Sequence, residues 1–443
     1  MHENTRTARQ YVDLMLKGVI SSEHLVQHYL DSIDQTDGII NAWASIDQDT
    51  AIAQARSMDQ LRKKGMPIGT LHGIPVGIKD IFDTVDYPTE MNCLAFENRR
   101  PDKDSAVVES LREAGAVILG KTVTAELAYT HPPATRNPSN PDYGPGGSSS
   151  GSAAAVAAGQ VPLAIGSQTH GSVIRPASYC GVYGYKPTRG LISRRGALET
   201  SFHLDQVGMF ALDLGDLALL GNALGRYDAA DDLCYLRPRP DTLRGYESDP
   251  PIEPVFAWFD LPYESRYSEA LSAGIEELID CLGKQVDRIP APRSFVGLIE
   301  SLRRIYGYEL YRSLDELNVL NSKLLSKTIR TSIQEIKQIT DEQYSDAIEA
   351  MHASVAWFVD FFNDYDAILT PSAPGIAPKY GEGTGDPCCS TIWTLAGLPC
   401  ISMPMLVGEE NMPIGLQLVG AAEQDDRLFR SARWLLHFLS QQP

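Results

Sequence analysis

The chain has 443 residues, 43% apolar and 21% charged, a balance that fits a folded globular protein and excludes a disordered or fibrous one. Its 38 Lys and Arg against 57 Asp and Glu give a net charge of −19, which repels nucleic-acid phosphates and anionic lipid; the expected partner is a small molecule, with a homodimer left open. The seven cysteines are scattered and form no CxxC pair, which argues against a disulfide framework or a zinc site and for a cytoplasmic setting.

The start, MHENTRTARQ, has neither the basic nor the apolar segment of a signal peptide. No apolar run approaches the ~18–20 residues of a membrane helix. ARQYVDLMLKG and SSEHLVQHYLDSID read as helices, the second capped by its leading serines. TAIAQARSMDQLRKKG reads as a third, stopped at Gly65. In HGIPVGIKDIF the period changes to that of a buried strand and its turn. DSAVVESLREAG follows as a helix capped by Asp104, then AVILG as a short apolar strand. This alternation predicts an α/β fold with a parallel or mixed sheet covered by helices.

Past the middle, residues 206–229 hold a helix, LDLGDLALLGNALG, and RPRPDTLRGYESDPP reads as a polar surface linker. PVFAWFD is a strand, followed by a helix over roughly 266–283. Residues 295–364 read as almost wholly helical, a helical insertion or lid-like subdomain within one domain spanning 1–443. AILTPSAP, PCISMPML and PIGLQLVG close the chain as strands, and DRLFRSARWLLHFL as an amphipathic helix.

Three stretches carry chemistry. From Gly146 to Ala155, within YGPGGSSSGSAAAVAAGQ, every residue is Gly, Ser or Ala. GSSSG fits the G-x-S-x-G nucleophile elbow with Ser149 as nucleophile, but that turn follows a strand, and NPSNPDYGPG is too rich in Pro and Gly to be one. A phosphate loop requires G-K-[ST], which is absent. Otherwise the small residues simply let a loop pack closely on a helix. In GIPVGIKDIFDT, Lys79 sits in an apolar run, where burial disfavours the ammonium and yields a usable base; the alternative is an ion pair with Asp80 or Asp83. In IGSQTHGSVIRPASYCGVYGYKPT, Ser172 follows a Thr-His-Gly turn.

In this order and spacing the three stretches resemble the amidase signature family. The resemblance takes in the N-terminal helices, a signature core from about 70 to 210, and the closing AGLPCISMPM and GLQLVG. It implies a large mixed twisted sheet flanked by helices on both faces and amide hydrolysis without cofactor or metal. It implies a Ser–cisSer–Lys triad, with Lys79 as base, Ser148 as the bridging serine on a cis peptide, and Ser172, 24 residues further on, as nucleophile. The backbone N–H groups of Thr169, His170, Gly171 and Ser172 would form the oxyanion hole. His170 stands where the family usually has Gly, and either packs away or contacts substrate. Arg175 lies three residues after the nucleophile and not two, as in malonamidase-like members, where that Arg holds a substrate carboxylate; a structural ion pair is the alternative. The expected substrate is a small amide, carboxylate-bearing or urea-like. Two other roles stand beside it. One is the glutaminase component of a tRNA-dependent amidotransferase, which requires partner proteins and normally carries T-G-G-S in place of THGS. The other is a non-catalytic amidase-like scaffold, disfavoured by the intact triad.

Overall fold

Short apolar strands buried on both faces need helices above and below, and the sheet is built that way. The computed structural model describes residues 6–442; residues 1–5, half of the start read for a signal peptide, and residue 443 lie outside the described residues. The strands are β1 Trp43–Ile46, β2 Pro75–Lys79, β3 Val117–Thr122, β4 Leu163–Gln168, β5 Tyr183–Lys186, β6 Gln206–Ala211, β7 Phe256–Asp260, β8 Val286–Pro290, β9 Ala367–Pro371, β10 Cys400–Val407 and β11 Pro413–Val419. They form one 11-stranded mixed sheet in the order β1-β3-β2-β4-β6-β5-β10-β11-β9-β7-β8.

The middle of this order positions the site. Strand β2 runs parallel to β3 and β4, with Ile78 beside Ile165, while β4 pairs antiparallel with β6. The C-terminal ends of β2 and β4 therefore leave the sheet at the same edge, where open α/β sheets place their ligands. Lys79 is the last residue of β2, and the turn carrying Ser172 follows β4.

The small-residue tract becomes the helix Ser150–Ala157, in which Ala153, Ala154 and Ala155 are fully buried. A Cβ on Gly151 would lie 2.2 Å from the Ala42 carbonyl oxygen, so glycine is what lets this helix touch the chain entering β1. Residues 295–361 carry three helices, Phe295–Glu316, Lys327–Ile336 and Asp341–Phe361.

Several expectations are corrected. Residues 206–211 are strand β6, and the following helix is confined to Leu214–Leu224. The run QVGMFA is apolar and fills the gap between β4 and β5, so sheet pairing decides its form. The helix Ala106–Glu113 has Ser105 at its N-cap; Asp104 instead accepts from the Val85 amide at 2.9 Å and from Arg112 Nε at 2.8 Å. The segment read as a linker contains the helix Thr242–Glu247, docked by the Thr242 hydroxyl, which donates to the Ala218 carbonyl at 2.7 Å.

Gly151→Ala is expected to shift the urea unfolding midpoint by the equivalent of about 1–3 kcal/mol, the cost of overpacking a close backbone contact. An unchanged midpoint in urea melts of the two proteins would contradict the close approach.

Candidate active site

Lys79 is fully buried and its Nζ donates to two hydroxyls, Ser148 Oγ and Ser167 Oγ, each at 2.8 Å. The neighbouring aspartates are engaged elsewhere. Asp80 pairs with Lys121 at 3.0 Å and Asp83 with Arg99 at 2.6 Å. No acid therefore compensates Lys79 at contact distance, which rules out the ion-pair reading. Burial lowers its pKa to about 7, and the more distant Asp205 charge opposes the fall. Near neutrality a large share of Lys79 is the free amine.

Ser148 lies on the far side of that hydrogen bond. The Gly147–Ser148 peptide is cis. The Ser148 carbonyl accepts from the Ala125 amide at 3.0 Å, and the Gly147 carbonyl from Arg175 Nη2 at 2.6 Å. Gly146 has φ 81°, and a Cβ there would lie 2.8 Å from the Tyr179 ring, so this turn takes only glycine. The other serines of the tract hydrogen-bond to backbone: Ser149 to the Ser167 carbonyl at 3.1 Å, Ser150 to Gly146 at 2.7 Å and Ser152 to Ile165 at 2.8 Å. They fasten the tract to itself and to β4. Ser149 is thereby turned away from the role an elbow would give it.

The turn after β4 is held from three sides. Gln168 Oε1 accepts from the Val173 and Ile174 amides at 2.8 and 3.0 Å, setting the start of the helix Ile174–Cys180. Thr394 Oγ1 donates to the His170 carbonyl at 2.8 Å. Thr169 Oγ1 donates to Asp205 Oδ1 at 2.5 Å, and the same carboxylate takes the Thr200 and Ser201 amides at 2.6 and 3.0 Å. Ser172 lies at the end of this turn and is 8% exposed. Among the described residues no hydrogen bond joins its hydroxyl to Ser148. Such contacts commonly tighten only once substrate is bound.

His170 is half-buried, with Nε2 2.6 Å from Thr391 Oγ1. Burial, reinforced by the charges of Arg175 and Arg303, pushes its pKa down to about 3, so the ring is neutral. Arg175 has no ion pair among the described residues, which overturns the structural ion-pair alternative. Nη2 donates to Gly147 and, at 3.2 Å, to Thr384 Oγ1, while Nε is buried without a partner. Burial pulls its pKa down.

Sequence reasoning missed Ser167, Asp205, Arg303 and Tyr306. Ser167 and Asp205 carried a usable signal, because both are polar residues inside apolar strand-like runs, as Lys79 is. Arg303 and Tyr306 carried none; they face the site only because the helix Phe295–Glu316 crosses it. The Tyr306 hydroxyl is within reach of Thr200 and Thr169, and its ring meets Tyr129 edge-on at 5.7 Å. Trp393 is packed into the core against Phe259, away from this role. Beside Ser167 a cavity of about 20 Å³, bounded by Phe82, Thr169, Arg194 and Asp205, has room for little more than one water molecule. Among the described residues no cluster of three or more His, Cys, Asp or Glu could hold a metal, and no helix is long and apolar enough to cross a membrane.

Residues 24–429 match the family model described as Amidase. The chain is 33% identical to the amidase-type component of the glutamyl-tRNA(Gln) amidotransferase of Alkaliphilus metalliredigens, covering 92% of this chain and 91% of the relative. Among solved structures it resembles the corresponding glutamyl-tRNA(Gln) amidotransferase component of Thermotoga maritima, at 29% identity with a TM-score of 0.79 over 98% of this chain and 94% of that one. It also resembles a chain from a vestigial protein complex bearing on the origins of an s-triazine catabolic enzyme, at 26% identity with a TM-score of 0.91 over 98% of each.

A reaction that uses Lys79 as its base needs the neutral amine. Its kcat/KM is expected to rise with pH, reach half its plateau near pH 7 and stay flat above, as read from a pH–rate profile. A limb near pH 10, the range of an ordinary lysine, would show that Lys79 is not the base.

Proposed function

The chain belongs to the amidase signature family and is an amide-hydrolysing enzyme, and from that premise we propose that it cleaves small anionic amides through an acyl-enzyme on Ser172. The observation that carries this reading is a buried lysine with a pKa of about 7 whose amine is hydrogen-bonded to Ser148.

Ser172 Oγ attacks the amide carbonyl carbon as its proton passes to Ser148 Oγ and the Ser148 proton passes to Lys79 Nζ. A serine hydroxyl suits this relay because it donates and accepts at once. The amine becomes an ammonium, and negative charge gathers on the carbonyl oxygen. The N–H groups of Thr169, His170, Gly171 and Ser172 are the proposed donors to that oxygen, each worth roughly 3 kcal/mol where it points correctly. Lys79 then returns its proton through Ser148 to the leaving nitrogen, and the C–N bond breaks. Water attacks the Ser172 ester by the same relay, giving the carboxylic acid and restoring the hydroxyl.

The substrate class rests on two guanidiniums. Arg175 keeps an unpartnered Nε beside the Ser148 turn. Arg303 is exposed, and its charge reaches His170. Neutral His170, tied to Thr391, adds no charge of its own and narrows the space that a glycine would leave. Two arginines with no carboxylate between them favour a substrate with its own.

Likeness to the glutamyl-tRNA(Gln) amidotransferase components over more than nine-tenths of the chain favours a second reading, a glutaminase that works with tRNA-binding partners. Under it the anionic substrate is glutamine.

Ammonia release from malonamate, glutamine, biuret and acetamide separates these readings. Ser172→Ala and Lys79→Ala are expected to abolish turnover of whichever amides the wild type cleaves; full activity in both would end the proposal. Arg303→Ala, which leaves the Gly147 contact intact, is expected to raise KM at least five-fold for malonamate or glutamine and to spare acetamide. An equal loss on all four amides would remove the carboxylate assignment. Co-purification with a tRNA-binding partner, and ammonia release from glutamine only in its presence, would select the second reading.

A further inference from the structure

Glu309 lies in the middle of the helix Phe295–Glu316, where a carboxylate 8% exposed requires a reason. It is fully engaged. Oε2 accepts from the Ser201 hydroxyl and from the His203 amide at 3.2 Å. Oε1 lies 2.5 Å from His203 Nδ1 and accepts from the Tyr344 hydroxyl at 2.7 Å. Burial works to raise its pKa, but bonds from His203, Ser201 and Tyr344 prevail and hold it below the ordinary glutamate value, so it is ionised. Four donors converge on one carboxylate. Three of them belong to the turn 201–203, and the fourth to the helix Asp341–Phe361.

That turn is also the floor of the catalytic turn. Its Ser201 amide, with the Thr200 amide beside it, donates to Asp205, and Asp205 takes the Thr169 hydroxyl. A second contact runs parallel to the first, as Ser313 Oγ donates to the Glu199 carbonyl at 2.5 Å. The path from insertion to oxyanion turn is thus Glu309, Ser201, Asp205, Thr169. It contains two buried carboxylates and no flexible link. A carboxylate with two or three donors holds its partners in fixed directions, because each lone pair is taken and any shift leaves a buried donor unpaired.

We propose that Glu309 is a positioning residue for the hydrolytic reaction: it fixes the 199–205 turn from the insertion, and through Asp205 it sets the direction of the Thr169 amide at the oxyanion. This rests on the reading of Thr169–Ser172 as the oxyanion turn. Oxyanion donors act on charge that develops after binding. The loss of Glu309 therefore lowers the chemical rate and leaves the affinity for the unreacted molecule alone.

The probe is an alkyl fluorophosphonate, which phosphonylates an activated serine and places an oxygen where the oxyanion would sit. Wild type is expected to be labelled at Ser172 and Ser172→Ala to be unlabelled. Glu309→Ala is expected to lower the limiting inactivation rate at least five-fold, with the half-saturating concentration within two-fold of wild type. Ser201→Ala removes a single bond of the chain and is expected to show a smaller loss of the same kind. It decides the matter if Glu309→Ala does not fold. Glu309→Gln, which keeps an acceptor of the same length, is expected to recover part of the rate. The double variant Glu309→Ala with Thr169→Val is expected to lose no more than the worse single variant, since both break one path. An unchanged rate in Glu309→Ala, or in Ser201→Ala where it must decide, overturns the proposal and leaves the triad standing. So do losses that multiply in the double variant. A wild type that is not labelled at Ser172 overturns the site reading itself, and this proposal with it.

Discussion

The proposed chemistry depends on the desolvation of one ammonium group. Three lysines of the sheet are fully buried, Lys79, Lys121 and Lys186, and they differ in what receives their protons. Lys121 has Asp80 at 3.0 Å. Lys186 donates to two carbonyls and the Gln206 amide oxygen, and its pKa falls to about 8. Lys79 has two hydroxyls, the weakest compensation of the three, and falls to about 7. A hydroxyl can pass on a proton, whereas a carbonyl cannot, so only Lys79 is set to exchange one with a neighbour. Every other feature of the site serves that arrangement. The parallel pairing of β2 with β4 brings amine and serine turn together, and the ion pairs of Asp80 and Asp83 keep carboxylates away from Lys79.

What could be read from the sequence follows from how local each cause is. Lys79 stood out because a charge in an apolar run has few explanations. Ser148 and Ser172 stood out through spacing. The helices capped by Ser21 and docked through apolar faces were legible from period and punctuation. Strand β6 was not, because QVGMFA has no alternation and takes its form from β4 and β5 on either side. The same holds for β1, β5 and β8, which are four or five residues long and are defined by their neighbours. Within the site, Arg175 was noticed but its partner was not. A guanidinium bonded to the carbonyl of Gly147, 28 residues away, leaves no trace in composition or period.

The helices over 295–361 bear on substrate choice for a geometric reason. They supply Tyr306 and Arg303 to the pocket from one side of a single helix, while the opposite side of that helix is fastened at Glu309. Substrate-facing and anchoring residues are six or fewer positions apart, so a change that reshapes the pocket also strains its fastening. The sheet edge and the serine turns are free of that conflict, since they meet the substrate only at the reacting bond.

The strand order carries a consequence for synthesis. Lys79, Ser148, Ser172 and Asp205 all lie on or beside strands β1 to β6, which are encoded before residue 212. Within that half, β5 pairs only with β6; its other edge waits for β10, with Lys186 opposite Cys400. As a ribosome extends the chain, this apolar edge stays open for some 190 residues of translation, an exposed template for strand pairing at the centre of the future sheet. The proposed catalytic half is thus finished early and sealed late, and its safe passage depends on whatever covers β5 in the meantime.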